Sequence, residues 1–200
     1  MCIRDRVQRV RVAVLASGSG TILHAMIEAG IPIELVVTDR ECNAESIAIN
    51  NEIVHKRIER TNYGKDFDRD SYTCEVRDSL LFNDINLVVM AGFGTILGQP
   101  IYNVFEGRVL NTHPSLLPSF PGWHAVSDAL QHGVKITGCT VHVATKEVDA
   151  GPILAQEAVP IFNGDTEETL HERIKTIERR LYVETIQEII KNNQLIEREQ

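Results

Sequence analysis

No apolar run in this chain approaches the roughly 18 residues that would suggest a membrane span, and the first residues hold no signal-peptide core. A soluble, cytoplasmic protein is therefore expected. Runs of Lys or Arg are missing too. The formal net charge is -8 and the pI about 5.4, which argues against a footprint on phosphate backbones and makes nucleic acid and membrane unexpected partners. Cysteine is scarce: the four, at positions 2, 42, 74 and 139, form no CxxC pair and no spacing that would gather a zinc site. Reduced thiols in a cytoplasm are the plain reading. Repeats, linkers and low-complexity segments are also absent. What is there, 200 residues with 43% hydrophobic content, suffices for one sizeable core and is marginal for two. Met1-Cys2-Ile3-Arg4-Asp5-Arg6 matches no element, so residues 1–9 read as a non-native or disordered leader ahead of a single domain over 10–195.

Hydrophobic patterning gives the elements. Residues 10–16 form an apolar run that ends in Ser17-Gly18-Ser19-Gly20, after which Ile22, Leu23, Met26 and Ile27 recur at helical spacing. Strands are expected at 33–37, 53–58, 87–91 and 108–110, with helices at 44–51, 68–81 and, briefly, 100–105. Alternation of this kind means a parallel sheet. Later, 136–144 and 153–161 alternate apolar and polar residues across a short connection, which suggests an antiparallel pair. A last helix is expected from a cap at Asp165 or Thr166 to about residue 193. The fold class is therefore α/β, with a Rossmann-like, mostly parallel sheet, an antiparallel C-terminal portion and flanking helices.

Two features carry chemistry. The glycine turn at 17–21 lies between a strand and a helix, where free N–H groups and the positive helix end hold anions. Leu23 stands where the third glycine of a dinucleotide fingerprint would fall, so a phosphate monoester suits the turn better than a dinucleotide; a merely tight turn is the alternative. The strand at 108–110 delivers Asn111 and His113 at its carboxyl end, the edge where open α/β sheets bind ligands. An amide and an imidazole there can steady an oxyanion, and Asp149, near the imidazole, would favour its protonated form. Turn capping around Pro114 and Pro118, and a turn role for Asp149 before Gly151 and Pro152, are the bland alternatives, which spacing alone leaves open.

Ordered motifs add to this reading: ASGSG at 16–20, AGF at 91–93, Ile96-Leu97, NTHPSLLPSFPG at 111–122, Gly138 with Thr140-Val141-His142, and DAGPILAQ at 149–156. From Val10 onward the chain resembles the folate-dependent formyltransferases, and within them the phosphoribosylglycinamide formyltransferase branch of purine biosynthesis. The resemblance implies formyl transfer from 10-formyltetrahydrofolate, a co-substrate, to the amine of glycinamide ribonucleotide, with no metal. It implies His113 as proton donor, Asn111 as second carbonyl contact and Asp149 as the group that raises the pKa of His113. Gly20, Thr21 and Ile22 match the phosphate-receiving segment. Glu178 matches a carboxylate on the ribose hydroxyls, within a substrate segment that includes Lys175, Thr176 and Ile177. Gly94, Thr95, Ile96 and Leu97, with Thr145, Lys146, Glu147, Val148 and Asp149, match the segments that read the pterin, Asn111 touches the same cofactor, and Arg69 matches a basic residue near the folate tail. A homodimer is allowed by the resemblance; oligomeric state is not legible.

Many relatives have Met-Arg where this chain has Gly94-Thr95, and Ser-Asn where it has Thr21-Ile22. Weaker discrimination at the folate tail is expected from the missing arginine, with Thr95→Arg as its test. His142, His124 and Trp123 are unassigned, His142 reading as a core histidine. Three other functions share parts of this pattern. A formyltransferase acting on initiator methionyl-tRNA would need a tRNA-binding extension, and a formyltetrahydrofolate hydrolase resembles this chain behind an extra N-terminal regulatory domain. A non-catalytic nucleotide-binding module would not need Asn111, His113 and Asp149 intact.

Overall fold

The computed structural model describes residues 9–192, so the leader, apart from Arg9, and the C-terminal end lie outside the described residues. Strand β1 (Val12–Ala16) is buried along its whole length. Around it build α1 (Thr21–Glu28), β2 (Ile33–Thr38), α2 (Asn43–Asn50), β3 (Val54–Arg57), α3 (Arg69–Phe82), β4 (Leu87–Met90), α4 (Gln99–Tyr102) and β5 (Val109–His113). Then come α5 (Ala125–Gln131), β6 (Ile136–Val143), β7 (Ile153–Pro160) and α6 (Glu167–Asn192). The seven strands form one sheet in the order β3-β2-β1-β4-β5-β6-β7, parallel through β5 and antiparallel for β6 and β7.

Alternation along the strands sorts the core into two layers. Val12, Val14 and Ala16 face the cluster covered by α1, α2 and α6, while Ala13 and Leu15 face the one covered by α3 and α4. Helix α6 supplies Leu170, Ile174, Tyr182 and Ile186, all fully buried; each such side chain contributes roughly 1.5–3 kcal/mol. Its start is set by Thr166, whose Oγ1 accepts from the Thr169 amide at 3.3 Å. Asp165 instead grips Arg173 through two contacts of 2.8 and 2.7 Å. Arg9 is tied to the start of β4, its carbonyl accepting from Asn86 Nδ2 at 3.0 Å. No helix among the described residues is long and apolar enough to cross a membrane.

Two departures from the sequence reading matter. Helix α5 was not expected, because its apolar residues are small and follow a Pro-Gly pair that reads as loop. Strand β5 also runs on to His113, because β6 extends the ladder past residue 110: Asn111 lies opposite His142, and His113 opposite Thr140. The candidate catalytic residues thus sit within a strand, where the ladder fixes their direction, and not on the loop after it.

Candidate active site

The carboxyl ends of β1, β4 and β5 open into one cleft of about 440 Å³. At β1 the chain turns through Gly20, in the left-handed region at φ 71°, and enters α1 with no side-chain cap on the first N–H groups. A Cβ at Gly20 would sit 2.7 Å from Ile47 Cδ1 and 3.0 Å from Ala44 Cα, so helix packing also demands glycine. The Gly18 and Ser19 carbonyls are drawn off to α2, by the Ala44 amide at 3.2 Å and Asn43 Nδ2 at 2.8 Å. An anion at this turn would meet N–H groups and the positive helix end. Across the turn, the Gly94 amide donates to Ser17 Oγ at 2.6 Å, joining the first turn to the loop after β4.

On β5, Asn111 and His113 share a face. His113 is 5% exposed, with Nδ1 3.3 Å from Asp149 Oδ2 and Nε2 2.7 Å from the Phe120 carbonyl. A carbonyl and a carboxylate both accept, so the two contacts are both hydrogen bonds only in the doubly protonated ring. Asp149 stands at φ 56° and takes a further bond from the Gly122 amide at 2.8 Å. The loop that follows β5 therefore holds both members of the pair. Thr140 Oγ1 fixes that loop in turn, donating to the Ser115 carbonyl at 2.7 Å and accepting from the Leu117 amide at 3.0 Å.

His142, 1% exposed, completes the cluster from β6, with Nε2 3.3 Å from Asn111 Nδ2 and 3.7 Å from Asp149 Oδ1. Burial lowers its pKa from the usual histidine range, against the upward pulls of the Val143 carbonyl and Asp149. Thr112 points to the other face of β5, toward Glu178 of α6. Burial raises the Glu178 carboxyl, while Thr112, Lys175, Arg179 and His113 pull it down.

Most expected residues meet in this cleft: Gly20, Thr21 and Ile22 at the first turn, the 94–97 loop, Asn111 and His113, Thr145, Val148 and Asp149, and Lys175 with Glu178 on α6. Five do not line it. Arg69 is exposed at the first turn of α3, and Lys146 and Glu147 point to solvent. Ile177 packs on the core, and Thr176 faces a more open groove of about 860 Å³ between α1, α2 and α6. That groove shares Ser19 and Thr21 with the cleft but lacks the acid–base residues. The cleft also takes in Tyr102, Trp123, His142 and His171, which the sequence reading left out of the site. Only the cross-strand register could have placed His142 beside Asn111.

Thr95 has a structural role that its sequence position does not reveal. It is fully buried, and its Oγ1 donates to Asp39 Oδ2 at 2.8 Å. Arg40 pairs with the same carboxylate at 3.0 and 3.1 Å, and its guanidinium lies 3.0 Å from where a Gly94 Cβ would stand. A cation thus borders this loop, and the Thr95 side chain is held in the core by Asp39.

An amide, an imidazole and a carboxylate at the ligand-binding edge of a mostly parallel sheet, beside an anion-holding turn, are the equipment of an acyl-group transferase. The chain belongs to the formyl transferase family, whose profile matches residues 10–186. It is 45% identical over 181 residues to a phosphoribosylglycinamide formyltransferase of Mycobacterium tuberculosis, covering 88% of this chain and 83% of that one. It is 37% identical over 191 residues to the human trifunctional purine biosynthetic protein adenosine-3, covering 90% of this chain and 18% of that much longer one. The fold matches the crystal structure of phosphoribosylglycinamide formyltransferase from Bacillus halodurans with a TM-score of 0.84 at 36% identity, over 93% of this chain and 98% of that chain.

Proposed function

We propose that this protein transfers the formyl group of 10-formyltetrahydrofolate to the primary amine of glycinamide ribonucleotide, in the cytoplasm, as a step of de novo purine biosynthesis. The observation that carries the reading is the 3.3 Å contact of His113 with Asp149 beside Asn111, in a chain of this family. The N–H groups at Gly20, Thr21 and Ile22 receive the phosphate, and Glu178 takes the ribose hydroxyls with Lys175 beside it. The backbone of Gly94 to Leu97 and the turn ending at Asp149 receive the pterin. Residues 10–195 act as one domain, with neither nucleic acid nor membrane as partner.

In the reaction the amine nitrogen attacks the formyl carbon, and the carbonyl π electrons move to oxygen. Asn111 and His113 donate hydrogen bonds to that oxyanion, a contribution of about 2.7–4 kcal/mol for each well-placed donor. For His113 this means exchanging the Phe120 carbonyl for the substrate oxygen. Asp149 supports the positive imidazolium throughout. The new ammonium then loses a proton, the oxyanion collapses, and the C–N bond to the folate breaks. The departing nitrogen takes up a proton, leaving tetrahydrofolate and the formylated nucleotide.

The test is incubation of purified protein with 10-formyltetrahydrofolate, with and without glycinamide ribonucleotide, following folate absorbance. Turnover that needs the nucleotide is the expected result. Cofactor breakdown without it, or silence in both arms, refutes the reading.

A further inference from the structure

Asn111 has a primary amide, and such a group helps an oxyanion only in one of its two orientations. Reversed, it would present Oδ1, an acceptor, where the developing charge requires a donor. The sense of an amide is set by the hydrogen bonds around it, so the neighbour that sets this one bears on the chemistry. That neighbour lies directly across the ladder. The Val143 carbonyl is 3.0 Å from His142 Nδ1 and can only accept, so Nδ1 carries a proton. His142 is buried, and burial disfavours a second proton on its ring. Nε2 is then a lone pair, with Asn111 Nδ2 at 3.3 Å.

We infer that His142 is the positioning residue for Asn111: its Nε2 accepts one hydrogen of the Asn111 amide nitrogen and so turns the second toward the cleft. With the amide reversed, Oδ1 would face the Nε2 lone pair, two acceptors against each other. Asp149 Oδ1, 3.7 Å from the same Nε2, draws a proton toward it, but burial outweighs that pull and leaves Nε2 a lone pair. The Val143 carbonyl thus selects the tautomer, the tautomer selects the amide's orientation, and the amide meets the oxyanion. His142 itself touches no reacting atom. The inference rests on the formyl-transfer reading above.

A double-mutant cycle tests it, with kcat and both KM values measured for the full chain, His142→Leu, Asn111→Ala and the combination. One neutral hydrogen bond contributes about 1 kcal/mol, which converts to roughly fivefold in rate. His142→Leu should lower kcat by about that factor and leave both KM values unchanged. In the Asn111→Ala background the same change should cost nothing, since no amide remains to be oriented. His142→Gln should keep kcat within about twofold of the unmodified protein, because its Oε1 can accept from Asn111 while its NH2 finds Asp149. An equal loss in both backgrounds, a loss in KM instead of kcat, or an unchanged kcat in His142→Leu overturns the inference. Should the leucine variant fail to fold, His142→Met, of similar size and only weakly accepting, takes its place in the cycle. An unmodified protein without nucleotide-dependent turnover refutes the functional reading and this inference with it. An active protein with an additive cycle refutes this inference alone.

Discussion

Replacing Asp149 with Asn removes one charge and almost nothing else. Residue 149 sits at φ 56°, a region that asparagine tolerates, so the backbone is not strained by the change. The asparagine Oδ1 can still accept from the Gly122 amide, which keeps the loop in place. What disappears is the carboxylate 3.3 Å from His113 Nδ1. At that separation the attraction to an imidazolium is about 5 kcal/mol at an effective dielectric of about 20, and breaking a buried pair by removing one partner costs about 3–5 kcal/mol. If the transition state depends on a positive His113, kcat should fall by roughly 10²- to 10⁴-fold. Steady-state turnover with saturating nucleotide and formyl donor measures this, alongside a thermal melt that checks the variant is folded and that should fall by roughly 6–20 °C, at about 2–4 °C per kcal/mol of lost pairing. A folded Asp149→Asn protein that keeps kcat within about threefold, under 1 kcal/mol on the same scale, would sink the pairing argument.

Two further outcomes follow from the structure. Thr95→Arg should destabilise the protein through overpacking, by about 1–3 kcal/mol, and leave the preference for polyglutamylated over monoglutamylated folate unchanged. An unshifted melting temperature together with a sharper tail preference would show that residue 95 does reach the tail. The Asp165–Arg173 pair should make stability pH-dependent in acid. Arg173 holds the Asp165 carboxyl well below its ordinary 3.8, so the stabilisation is present above that value and is lost as pH falls toward the folded-state value. The stability gap between the unmodified protein and Arg173→Met, from urea melts, should therefore be narrower at pH 3 than at pH 7; an equal gap at both rules the linkage out.

The parallel half of the fold was legible because its central strands β1 and β4 are short apolar runs closed by a glycine turn, as at 10–20 and 87–94. The antiparallel pair was legible from its alternation. Helix α5 was not, since Ala125, Val126 and Ala129 are too small to make a clear stripe. Asn111, His113 and Asp149 were legible as types, but their meeting depends on a turn at positive φ and on a loop fixed by Thr140, neither visible in spacing. Thr95 shows the limit most plainly. Position matched a cofactor segment, yet burial against Asp39 gives its side chain a structural task. His142 is the converse, a histidine with the look of core packing whose ring meets the site only through register.

The acid–base pair is gripped by the loop after β5 through two main-chain groups, the Phe120 carbonyl and the Gly122 amide. Main-chain contacts carry no memory of which side chain hangs beside them. Residues on this loop can therefore be exchanged with little direct effect on the pair, provided the path of the chain is kept. One residue inserted or deleted between 118 and 122 would shift both groups together and release His113 and Asp149 at once. This loop is tolerant of spelling and intolerant of length.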